Sequence, residues 1–114
     1  MKFIFVINES PWGSTLPSSA LRIAERVLEA NHDLAVFFRE DGVYNVVAGT
    51  VSDSGTDDLA GAWLNLGETD RVDLMVCQAS LARRLAETPK MPFRPASLVE
   101  LTDLLSDCDR VVTF

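Results

Sequence analysis

The sequence predicts an α/β fold: a mostly parallel sheet of about four to five strands flanked by helices. Two observations carry this. Short β-rich runs at residues 2–7, 33–38, 72–77 and 110–114 are brief and nearly continuously apolar, as in strands covered on both faces. Between them lie segments whose apolar residues recur at helical spacing, and such alternation is the signature of a parallel sheet with helices packed on it. The crossovers are expected to be right-handed.

The elements follow in order. Lys2 to Ile7 is the first strand, and Asn8-Glu9-Ser10-Pro11-Trp12-Gly13-Ser14 breaks it with loop residues. From about Leu16 to Asn31, the residues Leu16, Ala20, Ile23, Ala24, Val27, Leu28 and Ala30 define a helix. Ser14, Thr15 or Ser18 caps its start near Pro17, and Asn31-His32 stops it. Asp33 to Phe38 is the second strand, ended by a turn at Arg39-Glu40-Asp41-Gly42. Val43 to Val51 is ambiguous, because Asn45 and Gly49 interrupt β-branched residues, and Ser52 to Asp57 is a polar loop. Asp58 to Leu66 is a helix closed by Gly67-Glu68-Thr69-Asp70.

Val72 to Cys77 is the third strand, and Gln78 to Glu87 continues as a helix. Thr88 to Pro95 holds Pro89, Pro92 and Pro95 and is no regular helix throughout. Ser97 to Leu105 is the last helix, with Ser97 and Glu100 spaced as a capping box. Arg110 to Phe114 is the final strand. With no repeat or linker in 114 residues, one domain over 1–114 is expected.

Charge and cysteine usage narrow the function. The net charge of −7 argues against direct nucleic-acid binding, which relies on clustered Lys and Arg, and against anionic membranes. The apolar run after Lys2 is too short for a signal-peptide core, and no stretch approaches the roughly 18 apolar residues of a membrane span, so a cytoplasmic location is expected. Cys77 and Cys108 are expected to be thiols in a reducing compartment. A single histidine, His32, and no C-x-x-C argue against zinc, and no metal or cofactor is expected.

Reactive groups in open α/β sheets gather at the carboxyl ends of the strands. The candidates there are the Asn8–Thr15 loop, the Arg39–Tyr44 turn and Cys77. Cys77 is the only strong nucleophile among them, and it ends a strand where a helix opens. Unpaired N–H groups at a helix start favour an anion, and the thiolate is the form that attacks a persulfide or disulfide. The competing reading is a small hydrophobe packed at a strand end. Cys108 lies between Asp107 and Asp109, an acidic setting that disfavours a thiolate. Arg83 and Arg84, about 9–10 Å along the helix from Cys77, either meet an anionic partner or form a solvated face. The Pro11-Trp12-Gly13-Ser14-Thr15 loop matches neither phosphate-binding glycine pattern, so capping is its expected role.

An ordered set of residues is similar to a known family. It comprises Met1-Lys2-Phe3 with the Pro11-x-Gly13-Ser14/Thr15 loop, Ser18-Ser19-Ala20, Val36-Phe37-Phe38, Asp41-Gly42-Val43-Tyr44-Asn45, and Ala62-Trp63. It continues with Cys77 followed by Leu81-Ala82-Arg83-Arg84, and closes on Cys108-Asp109-Arg110-Val111-Val112-x-Phe114. The chain resembles the DsrE/DsrF-like sulfur-relay family over nearly its whole length, and within it the TusD/DsrE branch. The resemblance implies a three-layer sandwich like that of the DsrEFH proteins and assigns Cys77 alone as the catalytic, persulfide-carrying residue. It implies an oligomer with paralogous DsrF/DsrH-like (TusC/TusB-like) subunits and a TusE/DsrC-like sulfur acceptor. It further implies sulfur transfer for tRNA 2-thiouridine synthesis, with a DsrE-type role in sulfur oxidation as the alternative. One departure is a shorter, proline-rich stretch from Glu87 to Ala96 than the branch usually carries. Two other classes stay open: a non-catalytic interaction subunit with a packed Cys77, and a small-molecule binder using the Asn8–Thr15 loop.

Overall fold

The computed structural model describes residues 1–47, 58–85, 89 and 91–114. Five parallel strands form one sheet in the order β4-β3-β2-β1-β5. They are β1 (Lys2–Ile7), β2 (Asp33–Phe38), β3 (Val72–Cys77), β4 (Phe93–Ala96) and β5 (Arg110–Thr113). The helices are α1 (Leu16–Glu29), α2 (Leu59–Leu66), α3 (Gln78–Arg84) and α4 (Leu98–Leu105), with a 3-10 segment at Glu40–Val46. The fold is the α/β class expected.

Side chains alternate across the strands and so build two cores of unequal size. Phe5, Ile7, Val36, Phe38, Leu74 and Val76 point to one face, where Ala20, Ala24 and Val27 of α1, Leu59 and Trp63 of α2, and Leu81 of α3 cover them. The indole of Trp63 meets the Phe38 ring edge-on at 5.4 Å. Burying each such side chain contributes about 1.5–3 kcal/mol, so this face dominates the hydrophobic stabilisation. Ile4, Val6, Ala35, Phe37, Met75, Cys77 and Ala96 point to the other face. There α4 supplies Leu101 and, partly buried, Leu104.

Several local features differ from the expected pattern. In α1 the small Ala20 and Ala24 let the helix approach the sheet, while Leu16 and Ile23 stay exposed. Ser14 Oγ accepts from the Leu16 N–H, Pro17 occupies the first turn, and Asn31 takes a positive φ of 65° just past the helix end. Of the ambiguous stretch, residues up to Val46 form the 3-10 segment. The remainder from residue 48 and the polar loop to residue 57 lie outside the described residues, while the helix expected to run to Glu87 stops at Arg84, because Leu85 turns to extended backbone (φ −127°, ψ 140°).

The proline-rich stretch contains an additional strand, β4. Pro95 has no N–H to donate, and β4 tolerates it because it is an edge strand that pairs only with β3. Ser97 caps α4 by accepting from the Glu100 N–H at 3.2 Å. The Glu100 side chain does not complete the capping box; it reaches Arg94 instead.

Candidate functional site at the end of the third strand

The direction of travel through the sheet creates the site. From β1 to β4 each strand lies beside the previous one, and Leu81 of α3 packs on the same face as α1 and α2. The chain then reverses, crossing from β4 to the far edge at β5, and α4 packs on the opposite face through Leu101. Right-handed crossovers require this exchange of face when the direction reverses. The segments leaving β3 and β4 therefore diverge to opposite sides, and the carboxyl ends of two such strands are where open α/β sheets place their sites. Cys77 is the last residue of β3, in register with Ala96 at the end of β4.

Cys77 is also the residue before α3, with extended backbone (φ −60°, ψ 119°). Its backbone faces the helix start while its side chain joins the second core beside Met75, Ala96 and Leu101. The residue is only 2% exposed, whereas Gln78 and Ala79, which follow it, are open to solvent.

The three carboxyl-end loops converge. The Arg39 N–H donates to the Ile7 carbonyl at 3.0 Å, and Asn45 Nδ2 donates to the Glu9 carbonyl at 3.0 Å. The first holds the start of the 40–46 segment to the end of β1, and the second ties the segment to the loop after β1. The same segment is tied to α3, because the Glu40 N–H donates to Ser80 Oγ at 2.8 Å. Arg84 completes the clamp: Nε donates to Asp41 at 2.9 Å, Nη2 to Glu40 at 3.2 Å and Nη1 to the Ser80 carbonyl at 3.4 Å. The bond to Asp41 raises the Arg84 pKa above its ordinary value, so the guanidinium stays charged. Arg84 is thus engaged within the chain, while Arg83 is exposed and makes no ion pair among the described residues. No sequence pattern points to Ser80, whose main-chain partner is 40 residues away.

Cys108 is remote from this site. It is half-buried, its Sγ lies 3.4 Å from the Leu105 carbonyl, and the next residue, Asp109, donates its N–H to the Lys2 carbonyl at the amino end of β1. Cys77 lies one level beyond Ile7, which the ladders align with Phe38 and Val76. The two cysteines are therefore separated by about six strand residues, roughly 20 Å along the strands, and both are free. The amino end also holds a groove of about 330 Å³ lined by Lys2, Asp33, Asp70, Arg71, Asp73 and Leu104 among others, at the opposite end of the strands from Cys77. The Asn8–Thr15 loop is occupied with its own turns: Ser14 Oγ accepts from the Leu16 N–H two residues on, Thr15 stands at the N-cap without a side-chain hydrogen bond, and Ser10 Oγ bonds the main chain of Trp12.

A parallel α/β sheet with a cysteine at its topological switch defines the class, and the chain belongs to the DsrE/DsrF-like family, whose model matches residues 1–114. More particular relatives are proteins named sulfurtransferase TusD. That of Enterobacter sp. (strain 638) is 33% identical over 128 residues, covering 100% of both chains. That of Salmonella newport (strain SL254) is 34% identical with the same coverage. Because those alignments run over 128 residues and this chain has 114, they carry gaps opposite residues of the relatives. The ychN protein from E. coli, known from a crystal structure, has a similar fold, with a TM-score of 0.83 at 26% identity over 100% of this chain and 99% of that one.

Proposed function

We propose that the chain is a sulfurtransferase subunit that holds sulfane sulfur as a persulfide on Cys77 and passes it to a partner cysteine. The observation that carries this reading is the position of Cys77 at the carboxyl ends of β3 and β4, at the junction of strand and helix. Family membership and the relatives named sulfurtransferase TusD support it.

The transfer is a pair of sulfur displacements. The Cys77 thiolate attacks the outer sulfur of a donor persulfide; a new S–S bond forms, the donor S–S bond breaks, and the donor cysteine leaves as a thiolate. An acceptor thiolate then attacks the outer sulfur of the Cys77 persulfide in the same way and restores the Cys77 thiolate. Each step moves one sulfane sulfur with no net oxidation, so no external oxidant or reductant is needed. In this reading the acceptor is a TusE/DsrC-like protein and the chain works in the cytoplasm, as one domain beside DsrF/DsrH-like subunits. The end use is tRNA 2-thiouridine synthesis. No helix among the described residues is long and apolar enough to cross a membrane.

Incubation with a cysteine desulfurase and cysteine, followed by intact mass, tests the assignment. Wild type and Cys108→Ser are expected to gain one sulfur, and Cys77→Ser none. Equal labelling of Cys77→Ser ends the assignment. The burial of Cys77 fits a second reading, a non-catalytic interaction subunit with a packed thiol. Under that reading none of the three proteins gains sulfur.

A further inference from the structure

A thiol that exchanges sulfur with other proteins must meet them, yet Cys77 is 2% exposed. Its side chain lies on the face that α4 alone among the described helices covers. The helix itself is thinly anchored. Leu101 is the one buried residue of α4, Leu104 is half-buried, and Leu98, Val99 and Leu105 face solvent.

One further tie holds the helix down. Arg94, on β4, donates through Nε and Nη2 to both oxygens of Asp73 on β3, at 2.9 and 2.8 Å. Its remaining nitrogen, Nη1, meets the Glu100 carboxylate of α4 at 2.6 Å. Glu100 stands where a capping box would turn it back onto the helix start, and it spans to the sheet instead. Arg94 and Cys77 lie on the same face, because Arg94 pairs with Met75 and Cys77 with Ala96, two residues further along each strand.

We infer that Arg94 is a positioning residue for the sulfur-transfer site: its ion pair with Glu100 latches α4 over Cys77, and release of that pair exposes the thiol. The inference rests on the sulfur-carrier reading for its purpose, while the latch itself is a property of the fold. Asp73 fixes the guanidinium plane, so the moving partner is Glu100. The three side chains are each more than a third exposed, so the pair biases the closed state without locking it.

The test uses the full chain with Cys108→Ser, which leaves Cys77 as the sole thiol. Iodoacetamide alkylation is followed by intact mass under native conditions, and hydrogen exchange is measured in parallel. Glu100→Gln and Arg94→Ala are expected to speed alkylation about two- to fivefold, the range for loss of one partly exposed ion pair. Arg94→Lys should fall between them and the parent, since an ammonium cannot hold Asp73 and Glu100 in the same fork. Exchange should rise at residues 98–105 and stay unchanged in β1 to β3. Alkylation rates that do not move in either Glu100→Gln or Arg94→Ala overturn the latch. So does an acceleration matched by equally faster exchange in β1 to β3, which reports global unfolding. Sulfur loading by the desulfurase separates the two ideas. Loading of the parent with flat alkylation rates leaves the carrier reading standing and removes the latch. Faster alkylation without loading of any variant does the reverse.

Discussion

At Gly42 the 40–46 segment passes so close to β1 that a Cβ would overlap the Ile7 carbonyl oxygen. The obstacle is main chain, which cannot rotate away as a side chain can. Gly42→Ala is therefore expected to cost about 1–3 kcal/mol as the segment shifts off the sheet, the range for forced overpacking. Urea unfolding measures it, and an unchanged midpoint would show that the close approach is not needed. The single residues differ in how much the sequence reveals of them. Cys77 was legible because it ends an apolar run and precedes a helical one, so its position follows from two local patterns. Its burial was not, because the cover comes from a helix more than 20 residues further on. Arg83 and Arg84 look equivalent as neighbours, yet only Arg84 points back to Glu40 and Asp41. That choice is made by the docking of α3 on the 3-10 segment.

Among the elements, α3 is the one that the proposed chemistry depends on, and at seven residues it has little hold of its own. Its attachment runs through Leu81 in the first core and through Ser80, whose hydroxyl satisfies the Glu40 N–H. Ser80→Ala leaves that donor unpaired in a place where Ser80 is 2% exposed, and should cost about 1–3 kcal/mol. If the loss is within error of zero by thermal or urea unfolding, the hydrogen bond does not anchor α3. The same elements explain which boundaries the sequence conveyed. β2 and β3 have the bounds expected, because their buried stretches Leu34–Phe38 and Leu74–Cys77 are continuously apolar, with Asp33 and Asp73 confined to the less buried amino ends. β4 escaped detection because Pro92 and Pro95 are ordinary evidence against a strand, and only its edge position, a property of the assembled sheet, makes Pro95 acceptable. The 3-10 segment escaped for a related reason. Val43 is buried there in the first core and Asn45 bonds the Glu9 carbonyl of the loop after β1, so no local periodicity announces it.

For the molecule as a whole, the strand order decides how stability is distributed. Periodicity conveyed that the sheet is parallel, but the order β4-β3-β2-β1-β5 depends on contacts distant in sequence and was not legible. That order makes β2 central, with β1 and β3 as its neighbours, and it sends three helices to one face and α4 alone to the other. β5 is an edge strand with all four residues exposed. Opening α4 uncovers Leu101, Leu104 and the second core beneath them, whereas opening β2 must expose both cores together. Native-state hydrogen exchange should therefore resolve two levels: amides of α4 and β5 exchanging through local opening, and those of β1, β2 and β3 only through global unfolding. Low urea should accelerate the first group less steeply than the second, because sensitivity to denaturant follows the surface exposed and local opening bares one core where global unfolding bares both. If α4 instead exchanges as slowly as β2 and with the same urea dependence, the two faces unfold as one unit. Cys77 would then be reachable only in the unfolded chain or in a complex that remodels the whole fold.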